Sequence, residues 1–246
     1  MAIFKDKGIV LRETAVSESD KRITLLLKER GKLTASARGA RKPKSKLAAA
    51  TQLFAYGEYI ILEKDGFYSL TQAEALESFY AVRTKLESFC HGTYFLELAD
   101  CILLREMQVR EPLRLLLRGL QALARGVPDA GLVSAMFTYK LLQMEGFSPG
   151  MEACAGCGEL YDGRRYWFTG EGLCCRDCMR AQAQNTHTIP IDEAAVHAIR
   201  VILETDAETL FRMNVSGELQ QMLERTARLL REENLDVSLK SLALMD

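Results

Sequence analysis

Five short runs of alternating apolar residues in the first eighty positions, a change to three- and four-residue apolar spacing after Ser78, and two CxxC pairs set between helical segments predict an α+β multidomain chain. The expected architecture is an N-terminal five-stranded OB-fold β-barrel over residues 1–79. A C-terminal α-helical domain follows in two parts, residues 80–147 and 189–246, with a four-cysteine zinc module inserted at 148–188.

The strands are expected at Gly8 to Val16, Ile23 to Lys28, Lys32 to Ala37, Glu58 to Glu63 and Phe67 to Ala75. Ser17-Glu18-Ser19-Asp20 separates the first pair and Arg30-Gly31 the second, while Asp65-Gly66 is a two-residue hairpin signal between the last two. A brief helical link, Ser45 to Thr51, joins the third strand to the fourth, completing the layout of an OB-fold.

Helical spacing then takes over. Leu86, Phe89, Cys90, Thr93, Leu96, Leu98 and Cys101 mark one helix, in which Cys90 and Cys101 read as core thiols three turns apart. Pro112 opens a second helix to about Arg125, and a third runs from about Gly131 to Glu145 with Gly146 as its C-cap. Arg118, Arg125 and Lys140 read as solvated helix surface. After the cysteine-rich segment, helices resume behind Asp192 and Glu193 at Ala195 to Leu203, Glu218 to Glu232 and Ser238 to Leu244.

Cys154-Ala-Gly-Cys157 and Cys175-Arg-Asp-Cys178 are separated by 17 residues, a spacing suited to one four-cysteine zinc site. Such a site has no vacant coordination position, so a structural Zn2+, one per chain, is expected rather than a catalytic one. Cys174 offers an alternative to Cys175, but the two-residue spacing favours Cys175. His187 reads as a solvated loop histidine. Seven cysteines, five of them between Cys154 and Cys178, fit reduced metal-binding thiols better than a secreted disulfide framework. The longest apolar runs fall well short of the ~20 residues that span a bilayer, so a cytoplasmic protein without membrane contact is expected.

The chain carries 32 basic and 33 acidic residues, yet Lys21 to Lys46 holds ten Lys or Arg against one acid, Glu29. Residues 1–80 are net +4 and the remainder net −5, which predicts one surface for an anionic polymer and another for a different partner. Arg38, Arg41, Lys42, Lys44 and Lys46 fall on a loop in which Gly39 admits close backbone approach and Pro43 favours an extended path along phosphates. Phe54, Tyr56, Tyr59 and Phe67 are candidate stacking surfaces for bases, with core or strand surface as the alternative at each. No GxxxxGK[ST] loop, GxGxxG turn, HxE or HExxH motif is present, and no catalytic residue is assigned, so the chain reads as a binding protein rather than an enzyme.

In order along the chain, Gly8-Ile-Val-Leu-Arg12, Glu18-Ser-Asp20-Lys-Arg22, Arg30-Gly-Lys32, Ala37-Arg-Gly-Ala-Arg41-Lys42 and Ser45-Lys-Leu47 resemble the bacterial recombination mediator family RecO. Leu70-Thr-Gln-Ala-Glu74, Glu77-Ser-Phe79, Tyr94-Phe-Leu-Glu-Leu98 and Gly146-Phe147 before Cys154-Ala-Gly-Cys157-Gly158 continue the likeness, which thins after Pro190. The resemblance implies a DNA repair and recombination protein of the nucleoid. It implies binding of single- and double-stranded DNA, annealing of complementary strands, and loading of RecA with RecR onto DNA coated by single-strand binding protein, whose acidic C-terminal tail is contacted, with Arg118, Arg125 and Lys140 as its receptor in the alternative to their reading as solvated surface. By position it implies a DNA surface at Lys32, Arg38, Arg41, Lys42, Lys44 and Lys46, with Lys21 and Arg22 beside it. The other readings are a zinc-containing protein adaptor and an RNA-binding OB-fold protein, separable by DNA binding without partners and by RNA competition.

Overall fold

The computed structural model describes residues 1–104, 109–126, 128–181, 187–215 and 217–245. The chain divides into two compact units, Met1–Ala124 with Leu239–Asp246, and Arg125–Ser238.

In the first unit, β1 (Ala2–Ala15), β2 (Lys21–Leu27), β3 (Gly31–Ala37), β4 (Tyr56–Lys64) and β5 (Phe67–Glu77) close into a barrel in the order β1-β2-β3-β5-β4. β1 begins six residues before the expected Gly8 because Lys5-Asp6-Lys7 hides the strand in the sequence. Its first half pairs with β4, from Ala2↔Glu63 to Ile9↔Tyr56, and its second half pairs with β2. A bulge between Val10 and Arg12 bends it from one partner to the other. Gly8 marks the crowded point of that bend, since a Cβ there would lie 2.3 Å from the Leu26 carbonyl oxygen. The barrel closes through only two parallel pairs, Ala35↔Tyr68 and Ser36↔Ser69. Asp65 (φ 51°) and Gly66 (φ 77°) both take left-handed backbone, as the tight β4–β5 hairpin requires.

Val10, Ile23, Leu25, Leu27, Leu33, Tyr59, Ile61 and Leu70 fill the interior. Tyr59 is fully buried, and its hydroxyl sits 2.9 and 3.0 Å from the carbonyls of Ala50 and Ala55 as donor. That contact pins a single 3-10 turn, Ala49–Thr51, where a longer helical link was expected. Tyr59→Phe keeps the ring and orphans buried carbonyl capacity, so it is expected to cost ~1–3 kcal/mol, read as a lower denaturant midpoint.

Helices α1 (Tyr80–Thr84), α2 (Leu86–Ile102) and α3 (Arg110–Arg125) belong to the same unit. Phe54, buried with φ 69°, wedges against α2, where its ring meets Phe89 edge-on at 5.8 Å. A Cβ on Gly92 would stand 3.0 Å from the Phe54 ring, so the small residue is what lets the wedge seat. Cys90 is buried as expected, but Cys101 is exposed, because α2 turns that face away from its packing at the last turn. The final 3-10 segment, Lys240–Leu244, is held by Glu97 of α2, which accepts from the Lys240 and Ser241 amides at 2.9 and 2.8 Å. Burial opposes ionisation of Glu97, but the hydrogen bonds from Ser241 and Lys240 outweigh it and keep its carboxyl below the usual range. A lowered folded pKa contributes stability above the unfolded value and loses it as pH falls. Hydrogen exchange at Lys240 and Ser241 is therefore expected to accelerate selectively, relative to the barrel, as pH drops below about 4.5.

In the second unit α4 (Ala130–Met144) packs against α6 (Glu193–Glu204) and α7 (Gly217–Asn234). Asp129 and Asp192 cap α4 and α6 by accepting from Gly131 and Ala195 amides, each at 2.8 Å. α4 is buried almost all round. Lys140 lies within it at 9% exposure, donating to the Leu203 carbonyl near the C-terminal end of α6, so its reading as solvated surface does not hold. Between α4 and α6 lies a three-stranded antiparallel sheet of order β7-β6-β8, formed by β6 (Tyr166–Thr169), β7 (Gly172–Cys175) and β8 (Ile189–Ile191), with α5 (Arg176–Ala181) after β7. Residues 182–186 of the expected module lie outside the described residues.

Candidate nucleic-acid interface and metal centre

The basic loop between β3 and β4 is stitched at its start to the β1–β2 turn. Asp20 Oδ1 accepts from the Gly39 amide at 2.8 Å, the Arg41 amide donates to Ser19 O at 3.0 Å, and the Arg41 guanidinium donates to Ser17 O. The Gly39 hydrogen bond, helped by Ser19, Ser17 and the Arg38 charge, holds the Asp20 carboxyl below the usual carboxylate range. Gly39 has φ 68°, which a side-chain-bearing residue adopts at a cost, and this bend aims its amide at Asp20.

The loop is not extended past Pro43 as expected. Bonds from Lys42 N to Gly39 O at 3.1 Å, Ser45 N to Lys42 O at 3.0 Å and Ala48 N to Ser45 O at 3.2 Å wind it into consecutive turns. The turns gather the cations instead of stringing them out. Arg22, Arg38, Arg41, Lys42, Lys44 and Lys46 are all exposed, and among the described residues none has a carboxylate in ion-pair range. The other two predicted cations are engaged elsewhere. Lys21, with 17% of its side chain exposed, meets Glu13 and lies 3.5 Å from Thr51 O. Lys32, with 15% exposed, is 3.3 Å from Asp100 of α2 and also donates to that residue's carbonyl.

Of the candidate stacking surfaces, Phe54 and Tyr59 are core and Tyr56 is half-buried, which leaves Phe67 exposed at the β4–β5 hairpin. Alternation alone does not distinguish these aromatics, because the barrel wall and the loop beneath it share similar spacing. Arg30, which was not a candidate, places its guanidinium 4.0 Å from the Phe4 ring centre, and Phe4 meets Tyr68 edge-on at 6.3 Å. In the sequence Arg30 stands only as one cation of the Lys21–Lys46 run and as part of the Arg30-Gly31 turn.

Cys154, Cys157, Cys175 and Cys178 come together, with all four sulfurs within 4.8 Å of one another. The Cys157 and Cys175 sulfurs are 3.8 Å apart, which matches the edge of a tetrahedron with metal–sulfur bonds of ~2.3 Å. Gly158 (φ 75°) closes the first knuckle by donating to Cys154 O at 2.9 Å. Gly156 lets it nest on the second, since a Cβ there would lie 3.0 Å from the Cys178 sulfur. Burial disfavours the Cys154 thiolate, but amide donors from Cys175, Cys157 and Gly156 prevail and bring its pKa down to about 6. Cys178 moves the other way, pushed up by hydrogen bonding with the Cys157, Cys175 and Cys154 sulfurs. Four such donors fit a thiophilic divalent ion.

Cys174 takes no part. It pairs with Trp167 on the opposite face of β7 from Cys175, is fully buried, and burial pushes its thiol up to about 11. His187 is exposed. The module is anchored by Arg200 of α6, which donates to Met151 O at 2.6 Å and pairs with Glu152 at 3.0 Å. Asn234 of α7 donates to Gly170 O at 2.8 Å in the β6–β7 hairpin. No described helix is long and apolar enough to cross a membrane.

Two family models match the chain: recombination protein O N terminal over residues 1–79, and recombination protein O C terminal over residues 83–243. Curated relatives named DNA repair protein RecO match almost end to end. The protein of Symbiobacterium thermophilum is 32% identical, covering 92% of this chain and 89% of its own length. That of Acetivibrio thermocellus is 28% identical over 96% and 93%, and that of Bacillus pumilus 29% identical over 99% and 94%.

Proposed function

The chain belongs to the recombination protein O family of DNA repair proteins, and from that membership we propose that it is a non-enzymatic recombination mediator. In this reading it binds single- and double-stranded DNA and anneals complementary strands. With RecR it helps load RecA onto DNA coated by single-strand binding protein, whose acidic tail it contacts, in the cytoplasm at the nucleoid. The observation that carries the reading is the group of six exposed cations, five on the loop stitched by Asp20 and Gly39 and Arg22 on β2, none of which has a carboxylate in ion-pair range among the described residues.

Such a surface binds phosphates by releasing condensed counterions, with little preference for sequence. Arg38 and Arg41 present planar guanidinium groups suited to two phosphate oxygens each, while Lys42, Lys44 and Lys46 act as point charges. Arg22, opposite Ser36 on β2, extends the surface along the barrel. Lys21 and Lys32, partly neutralised by Glu13 and Asp100, add field rather than direct contact. Annealing then needs no bond chemistry. The surface screens two anionic strands from each other while leaving their bases free to pair.

Cys154, Cys157, Cys175 and Cys178 would hold one Zn2+ per chain, and the four-sulfur set supports a structural role that supplies folding free energy. The test of the whole reading is annealing of complementary strands with and without single-strand binding protein. Acceleration in both conditions is expected. DNA binding without any acceleration of annealing would assign the chain to the adaptor class instead.

A further inference from the structure

We infer that the outward face of β6, together with the start of α5, is a second contact for single-stranded DNA, separate from the barrel loop, with Trp167 as its stacking surface. The inference rests on the DNA-binding reading above.

Side chains alternate along β6, and Tyr166 and Phe168 point inward at 3% and 0% exposure, with Phe168 meeting Tyr139 of α4 edge-on at 6.5 Å. Trp167, the chain's single tryptophan, is therefore on the other face. There it stays partly exposed between the buried Cys174 and Pro190, its cross-strand partners. The interior of the module is already occupied by Tyr166, Phe168 and the four sulfurs, so the indole is not needed to fill it.

Arginines surround this ring. Arg165 lies two residues before it on the same face, with its guanidinium 6.0 Å from the ring centre. That is the outer limit of a cation–π contact, so the guanidinium is held only loosely over the ring. One step beyond the last paired residues, Tyr166 and Cys175, stand Arg165 and Arg176, so the two cations follow each other across the ladder. Arg180 lies one helical turn beyond Arg176 on α5. Arg165, Arg176 and Arg180 are exposed, and among the described residues none pairs with a carboxylate. The nearby acids are Asp162, which is taken by Arg164 at 2.8 Å, Asp192, one step beyond Ile191 on the other side of β6 and occupied in capping α6, and Asp177 beside Arg176 in sequence.

A partly exposed indole bordered by guanidinium groups that have no carboxylate partner among the described residues suits a strand whose bases are unstacked and whose phosphates lie a few ångströms from each base. Duplex DNA, with its bases already stacked, has no use for the ring. The assignment also gives an annealing protein what it needs, a second place to hold a strand.

Because Trp167 is the only tryptophan, its emission reports this face alone. The full-length, zinc-loaded protein is titrated with oligo-dT. Tryptophan emission is followed in one arm, and the anisotropy of the same oligonucleotide carrying a dye in the other. Emission is expected to fall and saturate with DNA, and the fall is expected to persist in the Arg38→Glu/Arg41→Glu variant. It is expected to vanish in Arg165→Glu/Arg176→Glu with the emission maximum and zinc content unchanged. Saturated anisotropy without any change in emission would overturn this site and leave the barrel reading standing, whereas no rise in anisotropy would overturn the DNA-binding reading itself. A fall that survives the Arg165/Arg176 change, or disappears with the Arg38/Arg41 change, would also overturn it, because the signal would then report the barrel loop. An equal fall produced by a poly-glutamate peptide but not by DNA would reassign the face to an acidic protein partner.

Discussion

Reversing charge at Arg38 and Arg41 together is expected to lower single-strand affinity by at least about tenfold near 0.1 M salt and to flatten its salt dependence. Each phosphate contact to a single strand contributes roughly 0.7 to the slope of log K against log salt, so losing two lowers its magnitude by about 1.4. Arg225→Glu, an exposed charge reversal on α7 that shifts net charge in the same direction by half as much, should leave the slope unchanged. The two effects should occur together, since a weaker constant with an unaltered slope would mean that the loop had been disordered without a phosphate contact being lost. Unchanged affinity at moderate salt would remove Arg38 and Arg41 from the DNA surface.

Replacing Cys154 and Cys175 by Ser should abolish one-to-one zinc and unfold the cysteine module. The two residues sit on different knuckles and are joined by the Cys175 amide donating to the Cys154 sulfur at 3.2 Å, so the double change breaks both halves of the site. Structural zinc in small modules contributes on the order of 10–16 kcal/mol, more than the short β6-β7-β8 sheet replaces by its own packing. The expected readouts are zinc content falling to zero and rapid proteolysis within residues 150–181, while the barrel keeps its denaturant midpoint. Cys174→Ser, by contrast, should retain zinc one-to-one. A Cys154/Cys175 variant that still bound one zinc per chain would show that the ligand set is wrong.

Much of the fold was legible because its signals are local. Asp65-Gly66 announces a turn by the backbone angles that those two residues tolerate, and CxxC announces a knuckle by the reach of two thiols. The start of β1 was hidden because three charges in a row read as loop, although only Lys5 and Lys7 are on the outer face and Asp6 is buried, accepting from the Lys7 and Glu29 amides. The loop after β3 carries its proline, yet hydrogen bonds three residues apart wind it into turns, and these depend on backbone partners that composition does not name. Lys140 shows the same limit from the other side. A lysine on a helix reads as solvated, but α4 is enclosed and the ammonium ends on the Leu203 carbonyl.

Spacing along the chain was enough to identify a five-strand barrel, a helical remainder, the cysteine set and a basic segment, because each follows from periodicity or charge density within a few residues. Which of those groups remain available for function was decided by packing. Lys21 and Lys32 belong to the same run as Arg38 and Lys42, yet Glu13 and Asp100 draw their charge inward. Cys174 and Cys175 are neighbours in sequence, yet strand alternation puts one thiol beside Trp167 and the other into the four-sulfur cluster. Burial and pairing act through space, between residues as far apart as Lys32 and Asp100, so the choice among chemically identical side chains is made only when the chain has folded.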